Sequence, residues 1–273
     1  MLYFLPTPIG NLGDISARCL DILELANIVI CEDTRVAKSL YNLLKISPKN
    51  KKFYCLNSHN SDEFCAKFTN LKEILNEQLC AYLSDAGMPG ISDPGEFLVN
   101  FAKNNNIEYF VLPGANAALL AAVASGLIKK EFIFLGFLPN TGKEREIALQ
   151  NALSLAYPAI IYESPKRILK LVENIANIDE NREIFAIKEA TKKFEKKFFG
   201  RAIEVFQILK NANLQGEWTL IIKNAKEQNT QNLSPKDILA LDIAPKIKAK
   251  LLSKITGENA KKIYENLINK AKF

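Results

Sequence analysis

The chain has 273 residues, a formal net charge of +6 and 48% hydrophobic residues, which is the composition of an ordinary globular protein. This length allows two domains with buried cores, and no apolar run is long enough to cross a bilayer. Met1 is not followed by a basic start, a long apolar stretch and a cleavage site. We therefore expect a cytoplasmic protein rather than a secreted or membrane protein.

Cysteine and histidine usage argues against disulfide, zinc and triad chemistry. The five cysteines include no C-x-x-C pair, which fits free thiols in a reducing compartment better than a disulfide framework. His59 is the single histidine, so a metal site built from several histidines is excluded. A Ser–His–Asp triad would need His59 itself, which we interpret as a loop residue. We expect no metal.

The positive charge is concentrated at the end of the chain. Residues 225–273 hold ten lysines and five acidic residues (+5), whereas residues 1–224 hold 26 basic and 25 acidic residues (+1). A nearly neutral body with a basic tail suggests an anionic partner for the tail. A merely solubilising surface is the alternative, and charge alone leaves it open.

Short apolar strands alternate with amphipathic helices along the first part of the chain. The predicted elements are strand Tyr3–Leu5, helix Ile15–Leu25 with Asp14 as N-cap, strand Ile28–Cys31, helix Arg35–Leu44 capped by Thr34, strand Phe53–Leu56, helix Asp62–Asn76, strand Leu79–Ser84 and strand Tyr109–Leu112. Asp93, Pro94 and Glu96 predict a helix with an N-cap, a proline at its first position and a capping box. The alternation predicts a mostly parallel sheet with helices on both faces.

A second α/β unit follows Pro113 and Gly114, which we predict to mark a domain junction. Its predicted elements are helix Asn116–Ser125, strand Phe132–Gly136, helix Glu144–Leu155, strand Ala159–Tyr162, a helix opened by Ser164 and Pro165, and strands Glu183–Ile187 and Trp218–Lys223. Residues 225–233 are rich in Lys, Gln and Asn and indicate a linker. Short helices are predicted to start near Pro235, Pro245 and Asn259. The predicted domains are residues 1–112, residues 113–224 and a helical tail, residues 234–273.

Two loops rich in glycine and proline follow predicted strands: the first loop, Pro6–Asp14, and the second loop, Ser84–Gly95. Parallel sheets bind ligands beyond the carboxyl ends of their strands, so both loops are candidate binding segments. The Asp85 carboxylate can accept hydrogen bonds from a ribose or an amine. For the first loop an ordinary tight turn is an equal alternative, whereas the density of constrained positions in the second loop favours binding. Neither loop contains G-x-G-x-x-G, so a dinucleotide site has no support.

Two charged segments lie in the second predicted unit. Tyr162–Arg167 places charged side chains at a predicted helix start, where anions are favoured, although solvated charges around a helix cap explain it equally well. Lys188–Arg201 interleaves six basic residues with aromatic ones, a pattern typical of phosphate and base contacts. For a single run of this kind an amphipathic strand pair with a solvated lysine face is the better interpretation.

Taken together, the motifs resemble one known family. TPIGNLGDIS, CEDTR, SDAGMPGISDPG, GFLP, YESPKR, KEATKKFE and LQGEWTLII occur in the order typical of the ribosomal small-subunit RNA 2′-O-methyltransferase I family, within the tetrapyrrole-methylase-like enzymes. The resemblance covers roughly residues 2–223 and, more weakly, the tail. Motifs of this length in this order are far more specific than a lone glycine pattern.

The resemblance implies a fold, a cofactor and a substrate. It implies two mixed or parallel α/β domains with S-adenosylmethionine (SAM) in the cleft between them, a homodimer, and methylation of a ribose 2′-hydroxyl of a decoding-centre cytidine in 16S rRNA. Carried over position by position, the implied cofactor contacts are Ile9, Ser84, Asp85, Met88, Asn116, Ala117, Glu163 and Ala190.

Three positions depart from the family pattern. Asn116 stands where a small hydroxyl residue is usual, which suggests a contact through its backbone. Lys166 replaces the more usual histidine and is a poor neutral base. Lys188 replaces an arginine, which keeps the charge but loses the bidentate geometry toward phosphate.

A ribose hydroxyl is a poor nucleophile, so a base or a nearby cation is expected to assist its deprotonation. Our candidates are Glu189 as the base and Lys192, Lys193 or Arg35 as the cation. The alternatives are a methyltransferase acting on a tetrapyrrole carbon and a non-catalytic RNA-binding assembly factor. The basic tail and the lysine-rich Lys188–Arg201 argue against a tetrapyrrole, and cofactor binding separates an enzyme from a pure binder.

Overall fold

The computed structural model describes residues 1–57, 64, 71–224 and 234–270. These residues belong to two compact units, Met1–Ala225 and Lys226–Phe273. His59, Cys65 and the linker predicted over residues 225–233 lie outside the described residues. The boundary predicted after residue 112 falls inside the first unit, between its two sheets, and stays a prediction.

The first sheet is entirely parallel, as its sequence predicts. Its strands are β1 (Leu2–Leu5), β2 (Ile28–Cys31), β3 (Lys52–Cys55), β4 (Cys80–Leu83) and β5 (Tyr109–Val111), in the order β3-β2-β4-β1-β5. Every residue of β2 and β4 is buried, which is why these strands are continuous apolar runs rather than alternating ones.

Helices cover both faces of the first sheet. The described helices are α1 (Ala17–Leu25), α2 (Thr34–Leu43), α3 (Leu71–Glu77) and α4 (Gly95–Asn104). One core joins Leu23 and Tyr41 of α1 and α2 to one face of the sheet, and a second core joins Leu75 and Leu98 of α3 and α4 to the other. The prediction that helices cover both faces of this sheet is confirmed. Of the helix predicted over Asp62–Asn76, the structure describes α3, and most of the remainder lies outside the described residues.

The N-terminal caps predicted for three of these helices were wrong. The Ser16 side chain, not Asp14, caps α1, because Asp14 belongs to a short 3-10 turn, Leu12–Asp14. Asp33 rather than Thr34 caps α2 by accepting from the Arg35 N–H. The start of α4 has no side-chain cap and no capping box, since Asp93 bonds within its own loop instead.

The second sheet is mixed, which agrees with the mixed or parallel α/β domains that the family resemblance implies. Its strands are β6 (Ile133–Phe137), β7 (Ala159–Glu163), β8 (Glu183–Lys188), β9 (Lys196–Arg201) and β10 (Trp218–Ile222), in the order β6-β7-β10-β8-β9. Only β6 and β7 are parallel. The connection from β8 to β9 is too short for a crossover helix, which forces an antiparallel pair.

The helices of the second sheet pack in two layers. The helix α5 (Ala117–Ser125) covers one face, while α6 (Gly142–Ser154), α7 (Ile168–Ile178) and α8 (Ala202–Leu209) share the core on the other. The helix predicted to open at Ser164 and Pro165 starts only at Ile168, after a turn. The pairing of β8 with β9 agrees with the strand pair favoured for Lys188–Arg201, whereas α8 was not among the predicted elements.

The tail contains three helices that start where the sequence predicts. They are α9 (Pro235–Ala240), α10 (Pro245–Thr256) and α11 (Ala260–Lys270), packed around a small core of Ile238, Ala249, Leu252 and Ile263. Proline at the first position of α9 and α10 explains the accuracy, since proline is favoured there and excluded from helix interiors.

Cys19, Cys31 and Cys80 are buried free thiols, and Cys55 is exposed. Within the described ranges no helix is long and apolar enough to span a membrane. The same residues contain no cluster of histidine, cysteine and acidic side chains suited to holding a metal ion.

Candidate active site

The first and second loops, which follow β1 and β4, are joined edge to edge at the carboxyl end of the first sheet. The Thr7 N–H donates to the Gly87 carbonyl (3.0 Å), and the Gly87 N–H donates back to the Thr7 carbonyl (3.1 Å). The Thr7 hydroxyl adds a bond to the Ser84 carbonyl at 3.2 Å. Gly87 has φ +86°, and a Cβ there would lie 3.1 Å from Ile9 Cγ2. The two loops therefore form one continuous wall.

Asp93 shapes the second half of this wall. Its carboxylate accepts from the N–H groups of Gly90 (2.8 Å), Ile91 (3.2 Å) and Gly95 (2.8 Å), and from the Tyr82 hydroxyl (2.9 Å). Burial and the nearby Asp93 charge raise the pKa of Tyr82, so its hydroxyl remains a donor. Asp93 therefore organises the loop instead of capping α4.

A buried ion cluster supports the opposite wall, at the end of β7. Glu163 is 2% exposed and accepts from Arg145 Nη2 at 2.5 Å, from Arg167 Nε at 2.7 Å and from the Ser164 N–H at 2.7 Å. Arg145 also donates to the Pro139 carbonyl. The cluster ties the connections after β6 and β7 together, and it neutralises the Glu163 charge.

The start of α5 is fixed against this wall by side-chain hydrogen bonds. The Ala118 N–H donates to the Tyr162 hydroxyl at 3.2 Å, and the Asn116 side chain accepts from the Leu119 N–H at 2.9 Å. The Asn116 side chain is thus used as a helix cap, which leaves its backbone for other contacts. Phe137 packs edge-on against Tyr162, with ring centroids 5.7 Å apart.

A cavity of about 430 Å³ lies between the two walls. Seven of the eight residues implied as cofactor contacts line it: Ile9, Ser84, Asp85, Met88, Asn116, Ala117 and Glu163. Ala190 is not among the lining residues. The lining also includes residues to which sequence reasoning assigned no role, chiefly Glu32, Phe137, Tyr162, Glu217 and Trp218. Each of these residues lies in one of the motifs that carry the family resemblance, so the motifs could have identified them as lining residues.

The cavity is strongly acidic. Its lining contains the carboxylates of Glu32, Asp85, Asp93, Glu163 and Glu217, and none of the described residues that line it is a lysine or arginine. Burial and the nearby charges of Asp85 and Asp93 raise the pKa of Glu32. A hydrogen bond from the Asp85 N–H acts in the opposite direction but does not cancel the rise. Glu163 is paired with two arginines and Glu217 with Lys192, whereas Glu32, Asp85 and Asp93 have no ion-pair partner among the described residues. The cavity therefore favours a positively charged ligand.

The predicted base lies in a cluster that joins the two sheets. Glu189 Oε1 accepts from Lys192 Nζ (3.0 Å) and from the Glu217 N–H (2.9 Å), and Lys192 also pairs with Glu217 at 2.9 Å. Burial acts to raise the pKa of Glu189, but the bonds from Glu217 and Lys192 outweigh it and the net pKa is lowered. Neither Glu189 nor Lys192 lines the cavity. Their catalytic roles stay predictions.

Lys192 packs closely on the first loop. A Cβ built on Gly10 would lie only 2.2 Å from Lys192 Cγ, so the lysine stem occupies the space that any larger residue would need. The Lys192 cluster therefore holds the first loop against the second sheet at one end of the cavity.

The third predicted catalytic residue, Arg35, lies at the start of α2 and outside the cavity. Its guanidinium forms a fork with Asp33, with Nη2 2.6 Å from Oδ2, while its side chain stays 90% exposed. Arg35 lines a second groove of about 460 Å³, which shares Asp85 with the cavity.

Comparisons with known proteins identify the family. Residues 1–205 match the model of the tetrapyrrole (corrin/porphyrin) methylases. A protein of Campylobacter fetus named ribosomal RNA small subunit methyltransferase I is 60% identical over 98% of this chain and 100% of its own length. A Helicobacter pylori protein of the same name is 40% identical over 97% of this chain and 96% of its own. The chain belongs to the ribosomal RNA small subunit methyltransferase I family.

Solved structures support the same fold for this member of the ribosomal RNA small subunit methyltransferase I family. A cobalt precorrin-4 methyltransferase of cobalamin biosynthesis aligns with a TM-score of 0.57, covering 81% of this chain and 93% of its own, at 15% identity. At that identity the likeness concerns the fold alone.

One departure from the family pattern has a clear structural setting. Lys188 is 6% exposed, and its ammonium donates to the Asn213 carbonyl at 2.7 Å. In this member of the family the side chain at that position therefore bonds within the interior and does not face an external phosphate.

Proposed function

We propose that this chain methylates the ribose 2′-hydroxyl of a decoding-centre cytidine in 16S rRNA. As a member of its family it is a SAM-dependent methyltransferase of small-subunit rRNA. The observation that carries the proposal is the acidic cavity between the two sheets, whose lining fits a cationic methyl donor. SAM, when bound, supplies a methyl group on a positively charged sulfur.

The cavity suits SAM in charge and in surface. The sulfonium and ammonium of SAM are both cationic, and the lining carboxylates of Glu32 and Asp85 form no ion pair with another described residue. An adenine ring needs an apolar slot, which Ile9, Met88, Phe137 and Tyr162 provide. We propose the seven predicted lining residues as its contacts, with Ala190 as a further contact by resemblance.

Two competing functions have less support. A tetrapyrrole fits within a cleft and needs no extended cationic surface, yet this chain carries exposed lysines on β9 and along its tail. A non-catalytic RNA-binding factor needs no acidic cavity of about 430 Å³.

The second sheet offers a surface suited to unpaired RNA. Phe194 and Phe199 are 69% and 76% exposed, and Lys193 lies over the Phe194 ring at 5.6 Å. Lys196 and Lys197 are exposed on the edge strand β9. Exposed rings stack on bases and lysines neutralise phosphates. The strand pair with exposed lysines that the sequence favours is present in β8 and β9, and the exposed rings beside these lysines support RNA contact.

We propose a cytoplasmic homodimer, following the family resemblance. Leu119 and Val123 on α5 are 53% and 85% exposed, an apolar surface typical of subunit contacts. A monomeric mass in sedimentation equilibrium at micromolar concentration would contradict the dimer.

The function is tested with radiolabelled SAM and either naked 16S rRNA or assembled small subunits, followed by nuclease digestion. We expect label in a ribose-methylated cytidine. Label in the base of a nucleotide would disprove ribose methylation. Label absent from RNA but present in an added uroporphyrin would favour the tetrapyrrole alternative.

The tail is proposed to hold the rRNA backbone through its lysines. Lys246, Lys250, Lys261 and Lys262 are exposed, whereas Lys248 donates to the Leu239 carbonyl within the tail. Replacing the four exposed lysines by glutamine is expected to weaken rRNA binding and to reduce the slope of log affinity against log salt by about 3, near 0.7–0.9 per lost contact. Filter binding between 50 and 200 mM salt measures it, and an unchanged slope would leave the tail a solubilising appendage.

A further inference from the structure

A second groove lies beside the acidic cavity and shares one residue with it. The groove, of about 460 Å³, runs between the first loop and α2, and Asp85 lines both the groove and the cavity. Its volume is within the roughly 300–1,000 Å³ typical of small-molecule sites. A ligand in the groove therefore meets a ligand in the cavity across the Asp85 side chain.

The chemistry of the groove matches a nucleotide. Leu12, Val36 and Leu43 line it and are 37%, 40% and 59% exposed, which gives a partly apolar wall for a base. Arg35 also lines it, and its 90% exposed guanidinium keeps donors free beyond its fork with Asp33. Arginine donors of this kind recognise phosphate. An apolar wall with one exposed guanidinium suits a base and its phosphate.

Asp85 stands at the boundary with one oxygen free. Its Oδ1 accepts from the Asp33 N–H at 3.2 Å, and its own N–H donates to Glu32 Oε1 at 2.8 Å. Among the residues that the structure describes, none donates a hydrogen bond to its second oxygen. A free carboxylate oxygen between two binding spaces is placed to accept a proton from a ligand.

The charges around Asp85 are mostly negative. Glu32 and Asp33 face it from the end of β2, with Arg35 and the buried Cys31 thiol nearby, and Asp93 lies on its own loop. Glu163, held by its arginines, and Glu217, paired with Lys192, line the cavity from the second sheet. Burial and the Asp33 charge raise the pKa of Asp85. The hydrogen bond from the Asp33 N–H lowers it by less, so the net pKa is raised. A raised pKa strengthens the carboxylate as a base near neutral pH.

We propose that the groove holds the acceptor nucleotide and that Asp85 is the base that takes the proton from its ribose hydroxyl. This inference rests on the proposed function. As the hydroxyl oxygen bonds to the methyl carbon, the sulfur–carbon bond breaks with its electron pair staying on sulfur, and the hydroxyl proton goes to the Asp85 carboxylate. Asp85 thereby takes the role predicted for Glu189, which lines neither the cavity nor the groove.

The test uses the full chain carrying Asp85→Asn. Asparagine keeps an oxygen for the Asp33 N–H and removes a charge that faces other carboxylates, so we expect an unchanged melting temperature. We expect the single-turnover rate of methyl transfer to RNA to fall about 100-fold or more, the range for a lost general base. The rise of that rate with pH, as the carboxylate ionises, is expected to disappear. The SAM Kd from calorimetry is expected to rise by less than about tenfold, because Asp85 is only one of the proposed cofactor contacts.

Several outcomes overturn the assignment of Asp85. A loss of SAM affinity as large as the loss of rate would make Asp85 a cofactor anchor instead. If Glu189→Gln removes the pH dependence and Asp85→Asn does not, Glu189 is the base. An unchanged rate in Asp85→Asn overturns this inference and leaves the proposed function intact. A wild-type chain that transfers no methyl group to RNA overturns both.

The groove is tested separately by filling it. Ser39 on α2 is exposed and lines the groove, whereas Asn42 on the same helix is exposed and does not. We expect Ser39→Trp to raise the KM for RNA about tenfold with an unchanged SAM Kd, and Asn42→Trp to change neither by more than about twofold. Equal effects of the two variants, or none from Ser39→Trp, would overturn the groove as the acceptor site.

Discussion

Replacing Glu163 by alanine is expected to lower the free energy of unfolding by about 3–5 kcal/mol, the range for breaking a buried ion pair by removing one partner. Glu163 is 2% exposed and accepts hydrogen bonds from both Arg145 and Arg167. Without it, the Arg145 side chain, which is only 10% exposed, keeps a buried charge whose remaining hydrogen-bond partner is the Pro139 carbonyl. Urea unfolding monitored by circular dichroism measures the change.

The matched control is Glu173→Ala on α7. Glu173 pairs with Lys170, whose side chain is 67% exposed, so solvent already screens the charges. We expect a loss below about 1 kcal/mol there. Similar losses in the two variants would show that the Glu163 cluster stabilises the fold no more than a surface pair does.

Gly10→Ala is expected to lower the free energy of unfolding by about 1–3 kcal/mol, the usual cost of overpacking. The added Cβ would lie 2.2 Å from Lys192 Cγ and 3.1 Å from the Thr191 hydroxyl oxygen. To make room, Lys192 must give up its position between Glu189 and Glu217, which loosens the first loop and the Ile9 side chain that it places in the cavity. SAM affinity is expected to fall together with stability, and calorimetry measures it.

A double-mutant cycle with Lys192→Ala isolates this contact. In the Lys192→Ala background, Gly10→Ala is expected to lower the free energy of unfolding by less than about 0.5 kcal/mol, because the two changes act on one contact. Gly13→Ala is the control in the same loop, since its Cβ would meet only the Asn11 side-chain oxygen, at 3.3 Å. Additive losses in the cycle would show that Gly10 is constrained by something other than Lys192.

The sequence predicted the first sheet well because burial on both faces leaves an unambiguous pattern. The runs Ile28–Cys31 and Cys80–Leu83 are continuous and apolar, and prolines mark the starts of α9 and α10. Helix caps were less predictable, since Asp14, Ser16, Asp33 and Thr34 are all acceptable caps and local geometry selects among them.

The second sheet was harder to predict because its edge strand has no apolar period. The segment Lys196–Arg201 begins with two lysines and ends with an arginine, and it forms a strand because it pairs with β8. One partner of Glu163 was also beyond reach, because Arg145 lies 18 residues away on a different element. Seven of the eight cofactor contacts implied by the motif resemblance line the cavity, since such a resemblance carries positions that local propensity does not.

The position of β10 has a consequence for how this protein is made. Along the chain, β10 is the last described strand of the unit Met1–Ala225, yet it lies at the centre of its sheet, between β7 and β8. Its first residues, Trp218 and Thr219, also line the cavity. A nascent chain emerging from the ribosome can complete the all-parallel first sheet early, as N-terminal parts generally fold first. It gains its second sheet, and with it a cavity that can hold SAM, only after the last fifth of the chain has begun to emerge.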